Sequence, residues 1–200
     1  MKLYYSPGAC SLAPHIALRQ AGLPFEAVKT DIRAKRLEDG TDYRTINPKG
    51  AVPALQLDGG EVLTENAAVL QFIADQAGGG ALIPEGGIER YRVLEWLTYV
   101  SSELHKGFGP LWKGGSDEEK ERARELLGQK FDFVQERLGD NDYLTGDRFT
   151  VADAYFLVML TWTHHHGIDL TRWPKLAAYR DRLTALHGVR EAMEAEGLIR

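Results

Sequence analysis

The sequence predicts an α/β amino-terminal domain followed by an all-α carboxy-terminal domain. Three observations carry this expectation: the first thirty residues read strand, helix, strand; a glycine-turn hairpin and a second helix follow; and beyond a glycine- and proline-rich break at 78–87 every patterned segment has helical period. The expected boundaries are 1–80 for the first domain, 81–86 for the linker and 87–200 for the second.

Each element has a local reason. Residues 2–5 are strand-like. Leu12, Ile16, Leu18 and Ala21 then form an apolar helical stripe, and Pro14 is tolerated in its first turn, where the missing N–H would have no helical partner. Gly22 is placed to stop this helix. Residues 26–30 resume as strand, so a parallel pair joined by a right-handed helical crossover is the economical topology. Residues 54–57 and 61–63 flank Asp58-Gly59-Gly60, whose glycines allow the positive φ of a hairpin turn. A helix over about 65–76 follows, with Val69, Leu70, Phe72 and Ile73 facing inward. Past the break, helices are expected near 88–107, 117–138, 150–164, 173–186 and 188–195. Thr150 can cap one of them while Asp153 returns a bond to the cap backbone, with Phe149 placed as a hydrophobic staple. Residues 154–162 are apolar almost all round, which places this helix at the centre of its domain.

Composition limits the function classes. The 200 residues are 44% hydrophobic and 26% charged, enough to build a large core in a soluble protein. A net charge of −5 argues against a nucleic-acid duplex or an anionic membrane as main partner. The start lacks the apolar stretch of a secretory signal and no run approaches the length of a bilayer span, so a cytoplasmic, reducing location is expected. His164-His165-His166 are three consecutive helical residues pointing about 100° apart, which cannot converge on one metal ion. Neither GxGxxG nor GxxxxGK[ST] occurs, so a nucleotide-phosphate cradle lacks its usual support.

The single cysteine, Cys10, lies where the first strand gives way to the first helix. A helix start favours thiolate over thiol, so reactivity toward an external thiol competes with the plainer role of a small buried hydrophobe. Val52-Pro53 enters a strand and is a candidate cis bond, although the residues alone favour trans. There the backbone of Val52 is free to pair with an extended peptide ligand. At Thr64-Glu65-Asn66 a loop meets a helix; backbone N–H groups can hold a carboxylate and Glu65 an ammonium, or Thr64 simply caps the helix. Lys35 is either a countercharge for a carboxylate or a solvated surface residue. On the helix after the break, Val93, Leu97, Val100 and Leu104 make a packing face, while Glu95, Thr98, Ser102 and His105 make a polar stripe. His105 titrates near neutral pH in the ordinary case and is placed to donate to a thiolate.

The order of these motifs resembles that of a bacterial beta-class glutathione S-transferase. The resemblance is carried by residues 2–12 with Cys10, by Asn47-Pro48-Lys49-Gly50-Ala51-Val52-Pro53-Ala54-Leu55, by Leu63-Thr64-Glu65-Asn66-Ala67, by Glu103-Leu104-His105-Lys106 and by Phe149-Thr150-Val151-Ala152-Asp153-Ala154-Tyr155. It implies a thioredoxin-like first domain, a homodimer, and transfer of glutathione, as co-substrate with no separate cofactor or metal, to an apolar electrophile. By the same resemblance Cys10, Ser11 and His105 form the catalytic set near the glutathione sulfur. Lys35 and Val52 then hold the cysteinyl-glycine part, Glu65 and Asn66 hold the γ-glutamyl head, and Thr98, Ser102 and Glu103 approach glutathione, some across the dimer interface. Asn66 stands where relatives carry a smaller serine or glycine, and Thr98 where a relative has asparagine. Tyr5 is left outside the catalytic set. Two other functions stay open: thiol–disulfide exchange or peroxidase chemistry through Cys10, and non-catalytic carriage of apolar compounds in a cleft near Phe108, Leu111 and Trp112.

Overall fold

The computed structural model describes residues 1–199. Its first part alternates strand and helix: β1 (Lys2–Tyr5), α1 (Leu12–Ala21), β2 (Glu26–Asp31), β3 (Arg36–Leu37), β4 (Ala54–Gln56), β5 (Val62–Thr64) and α2 (Asn66–Ala77). The strands form one sheet in the order β3-β2-β1-β4-β5. β1 and β2 run parallel with Leu3 opposite Ala27, as the crossover through α1 requires. β4 and β5 close an antiparallel hairpin with Leu55 opposite Leu63. Gly22 ends α1 in the left-handed conformation, at φ 63°. The two-residue β3, which pairs antiparallel with β2, carries no periodic signal and was not expected from the sequence.

The second part is helical: α3 (Gly87–Tyr99), continued by a π-helical stretch Val100–His105, then α4 (Gly109–Lys113), α5 (Asp117–Leu138), α6 (Val151–His165), α7 (Pro174–Thr184) and α8 (His187–Ala195). The expected helix near 88–107 is therefore two geometries in series. Each residue of an i→i+5 turn advances by less than the 100° of an α-helix, so the π stretch re-aims everything after it, and such stretches recur at functional sites. Among the described residues, no helix is long and apolar enough to cross a membrane.

The core is continuous across both parts. α6 is its axis, with every residue from Val151 to Leu160 buried. It packs on α1, α2, α3 and α7, while α1 also packs on α2 and α8. Burying each large apolar side chain here contributes about 1.5–3 kcal/mol. Leu82 and Ile83, inside the expected linker, are buried in this core, and Val151 N–H donates to Leu82 C=O at 3.0 Å. α8 meets α1 closely at Gly188: a Cβ there would collide with Gln20, whose Oε1 accepts from the Gly188 N–H at 2.9 Å.

The start of α6 matches the expected cap. Asp153 is fully buried and its carboxylate accepts from Thr150 N–H (2.7 Å), Thr150 Oγ1 (2.7 Å), Leu144 N–H (2.8 Å) and the Tyr179 hydroxyl (2.7 Å). Burial pushes the carboxyl above its ordinary range, and these four bonds oppose that shift. Thr64, by contrast, does not cap α2. It ends β5, and the residue at the cap is Glu65, at φ 71°.

Candidate active site

The loop between β1 and α1 delivers Cys10. Ser11 ties this loop: its Oγ accepts from Ser6 N–H (3.1 Å) and donates to Ser6 C=O (3.3 Å), and the residue is fully buried. Expected beside a reacting sulfur, Ser11 is instead committed to backbone, because closing the turn uses both functions of its hydroxyl. Gly8, at φ 68°, is held on both faces, its N–H by Glu196 (2.9 Å) and its C=O by the Trp162 indole N–H (2.8 Å). Glu196 also accepts from His15 Nδ1 at 2.9 Å in full burial, so the carboxy-terminal segment clamps the loop that carries the thiol.

Cys10 is half-buried, and its thiol donates to Val52 C=O at 3.2 Å. Burial pushes the thiol up to about 12, although the Cys10 and Ser11 amides at the helix start act in the opposite direction. Of the two roles open to Cys10, the protonated thiol is the one favoured in the free protein, because desolvation exceeds what the two amides return. The Val52–Pro53 bond is cis, and the Val52 N–H has no hydrogen-bond partner among the described residues. Asn66 is buried under Cys10; its Nδ2 donates to Cys10 C=O at 2.9 Å, while its Oδ1 has no partner.

His105 enters from the end of the π stretch. Its Nδ1 lies 2.6 Å from the Tyr155 hydroxyl, and its ring packs edge-on against Trp162 at 5.0 Å. Burial, and then the neighbouring Lys106, push the imidazole down to about 4, so His105 is neutral rather than near its midpoint at pH 7. Burial also raises the Tyr155 phenol, which keeps its proton and donates to Nδ1. That bond leaves the proton of the imidazole on Nε2.

These groups share one cleft of about 1260 Å³, bounded by the loop 6–10, the segment 29–38, residues 49–52, Glu65, His105, Lys106, Trp112 and Trp162. Lys35, at φ 57°, reaches along it to donate to Gly50 C=O at 2.7 Å, its stem passing where a side chain on Gly50 would stand. A smaller recess of about 90 Å³ beside Cys10 is lined by Lys49, Thr64, Glu65, Asn66, Ser101 and Tyr155, among others. Six lysines and arginines and three acids line the cleft of a chain whose net charge is −5, so the site attracts anionic ligands.

The structure thus brings Cys10, Lys35, Val52, Glu65 and His105 together, with Asn66 beneath them. It does not bring Thr98, Ser102 and Glu103 to this cleft. All three are exposed on the outer side of α3 and its continuation; Thr98 Oγ1 donates back to Leu94 C=O at 2.8 Å, and Glu103 pairs with Lys130 at 2.9 Å. His105, counted with Thr98 and Ser102 in one polar stripe, is turned away by the π stretch. Lys49, Ser101, Tyr155 and Trp162 belong to the site and were not singled out. Tyr155 and Trp162 sit on an almost wholly apolar helix, where their only sequence signal is a polar tip on an aromatic body.

Comparison with known proteins agrees with this geometry. The model of the glutathione S-transferase amino-terminal domain matches residues 8–76, and that of the carboxy-terminal domain matches residues 94–187. Glutathione S-transferase GstA of Escherichia coli O157:H7 is 46% identical over 200 residues, spanning 99% of this chain and 100% of the relative. A bacterial beta class glutathione S-transferase of Sphingomonas chungbukensis superposes with a TM-score of 0.95 at 48% identity, covering 100% of both chains. A sphingomonad glutathione S-transferase complexed with glutathione does so with the same score, identity and coverage. With its fold, its thiol loop and both halves of its length matched, this chain belongs to the glutathione S-transferase family, in the bacterial beta class.

Proposed function

We propose that the protein joins reduced glutathione to electrophilic small molecules, using the cleft around Cys10 and His105. The observation that carries this reading is convergence: a free strand-like N–H at Val52, a carboxylate at Glu65, an ammonium at Lys35 and a neutral imidazole at His105 all border one cleft. Those groups match the parts of a γ-glutamyl tripeptide. Val52 pairs with the cysteinyl backbone, Lys35 meets the glycine carboxylate, Glu65 takes the ammonium of the head group and the Asn66 N–H its carboxylate. The sulfur then lies by Cys10 and His105. As the thiol loses its proton to solvent, the Nε2–H of His105 donates to the developing thiolate, and Tyr155 fixes the tautomer that makes this possible. The thiolate attacks a soft carbon, the carbon–sulfur bond forms and the leaving group departs with its electron pair. Trp112 and Trp162, whose centroids are 5.5 Å apart, offer an apolar wall for the acceptor.

In this reading residues 1–80 bind glutathione, and 87–200 supply the acceptor wall and dimer contacts. Thr98, Ser102 and Glu103 reach the glutathione of a partner subunit in a homodimer, and exposed Ile88, Tyr91, Leu126 and Phe133 on α3 and α5 provide apolar surface for that pairing. A cytoplasmic location accords with a reduced thiol as co-substrate. Thiol exchange through Cys10 is the weaker reading, because exchange needs the thiolate that burial disfavours. A pure carrier has no use for a polar group aimed at a sulfur. The test is conjugation of glutathione to chlorodinitrobenzene. Turnover above the uncatalysed rate and saturable in glutathione is expected; saturable ligand binding without turnover on any electrophile would favour the carrier.

A further inference from the structure

We propose that Lys49 is a built-in counter-ion of the ammonium subsite: in the free protein its Nζ occupies the Glu65 carboxylate, and glutathione binds by exchanging its own ammonium for that of Lys49. The inference rests on the reading that Glu65 receives the ligand's ammonium, and it concerns what stands there beforehand.

Both partners are placed by backbone. Glu65 caps α2 at φ 71° and ψ 120°, a conformation that a residue with a side chain adopts only when its surroundings impose it. Lys49 follows Pro48 in the turn before β4, and its N–H donates to Oδ1 of buried Asn47 at 3.2 Å. From there the side chain crosses to the β5–α2 junction, where Nζ donates to Thr64 Oγ1 at 2.7 Å and to Glu65 Oε1. This hydrogen bond is the main reason the Glu65 carboxyl lies below its ordinary range.

Charge then makes the site exclusive. Among the described residues Glu65 is the only acid lining the recess beside Cys10, and two ammonium groups, of Lys49 and Lys106, line it with Glu65. A ligand ammonium arriving there would be a third cation around one carboxylate, and mutual repulsion favours release of the cation that is free to move. Lys49 is the one that can. Its side chain is 51% exposed and that of Glu65 74%, so the pair is a solvated one whose rupture costs little, and a lysine stem swings readily into water. A thiol without an ammonium gives no reason for the exchange and finds the carboxylate already occupied. Lys49 is thus a specificity-determining residue, setting how strongly the site demands an amino-acid head group.

The experiment measures KM for glutathione and for its des-amino analogue, glutaryl-cysteinyl-glycine, in the parent protein and in Lys49→Met, Lys49→Arg, Glu65→Gln and the double variant Lys49→Met/Glu65→Gln. Removing the competitor is expected to lower KM for glutathione about two- to fivefold, the size of an exposed ion pair. KM for the analogue should not fall, so the preference for glutathione widens; Lys49→Arg should behave as the parent, and Lys49→Met should have no effect when Glu65 is already Gln. A rise of both KM values in Lys49→Met would mean that Lys49 anchors the head-group carboxylate, and it would overturn the exchange. An unchanged preference in Lys49→Met, with Glu65→Gln still weakening glutathione alone, would overturn it while leaving the Glu65 reading intact. If Glu65→Gln left the preference untouched, the Glu65 reading and the exchange would fall together.

Discussion

Two sets of loop-to-helix junctions in this protein use similar residues to opposite ends. At the start of α6, a threonine and an acid close on each other in full burial, and the carboxylate accepts four hydrogen bonds from within the fold. At the starts of α1 and α2, and in the turn before β4 that faces them, polar groups stay unmatched among the described residues: the Val52 N–H near the thiol, Oδ1 of Asn66 under it, and a Glu65 carboxylate held by an exposed lysine. A junction that satisfies itself holds the fold together. One that stays unsatisfied at the edge of a cleft is available to a ligand.

Replacing Asp153 with Ala should produce the largest effect, since it strands two backbone and two hydroxyl groups in the core. A loss of about 3 kcal/mol or more in chemical denaturation is expected. A variant that unfolded like the parent yet lost turnover would move Asp153 to the functional side of the comparison. Glu196→Ala sits between the two classes, because it frees a buried His15 and the Gly8 N–H of the thiol loop. Here a loss of about 2–3 kcal/mol is expected, together with a higher KM for glutathione as the loop loosens.

His105→Ala belongs to the site. A hydrogen bond to a charged sulfur is worth about 1.5–3 kcal/mol, so kcat/KM should fall about ten- to a hundredfold, with a smaller loss of stability than Asp153→Ala as the buried Tyr155 hydroxyl loses its partner. The sign of its pH effect is fixed by the lowered imidazole. Folding moves it from 6.5 to about 4, so the unfolded chain binds more protons between those values. The stability linked to His105 is complete above pH 6.5 and is lost as the pH falls toward 4. His105→Ala should flatten that part of the stability profile, and the parent's kcat/KM should show no imidazole ionisation between pH 6 and 8.

Cys10→Ala should have the smallest effect on conjugation, less than about tenfold, the scale of one neutral hydrogen bond. Iodoacetamide at pH 7.5 should alkylate Cys10 of the free protein more slowly than a free thiol, because the group is pushed up to about 12. Fast alkylation would return Cys10 to the role of nucleophile and revive thiol exchange.

Much of this was legible in the residues. Periodicity located α1, α2, α5 and α6 to within a residue or two, since the 3.6-residue period and its glycine stop at Gly22 are written locally. The same logic went wrong at 100–105, where one continuous α-helix was expected: periodicity alone does not show a π stretch, and so His105 was grouped with Thr98 and Ser102. The cap at Thr150 and Asp153 was legible because its partners are three residues apart. Tyr179, which completes it, is 26 residues away and gave no local sign.

By itself the sequence determined the two-part organisation and the order of the longer elements, the polar and apolar faces of most helices, and through its motifs the family to which the chain belongs. All of these depend on neighbours along the chain. Tertiary structure alone decided the protonation of the site: half-buried Cys10 is held as a thiol and His105 as a neutral imidazole because desolvation outweighs the helix start in one and the ordinary midpoint in the other. It also decided the partners of Lys49, Tyr155 and Glu196. The physical reason is the same throughout, because burial and long-range contact come from how distant segments enclose a group, and no local pattern records that enclosure.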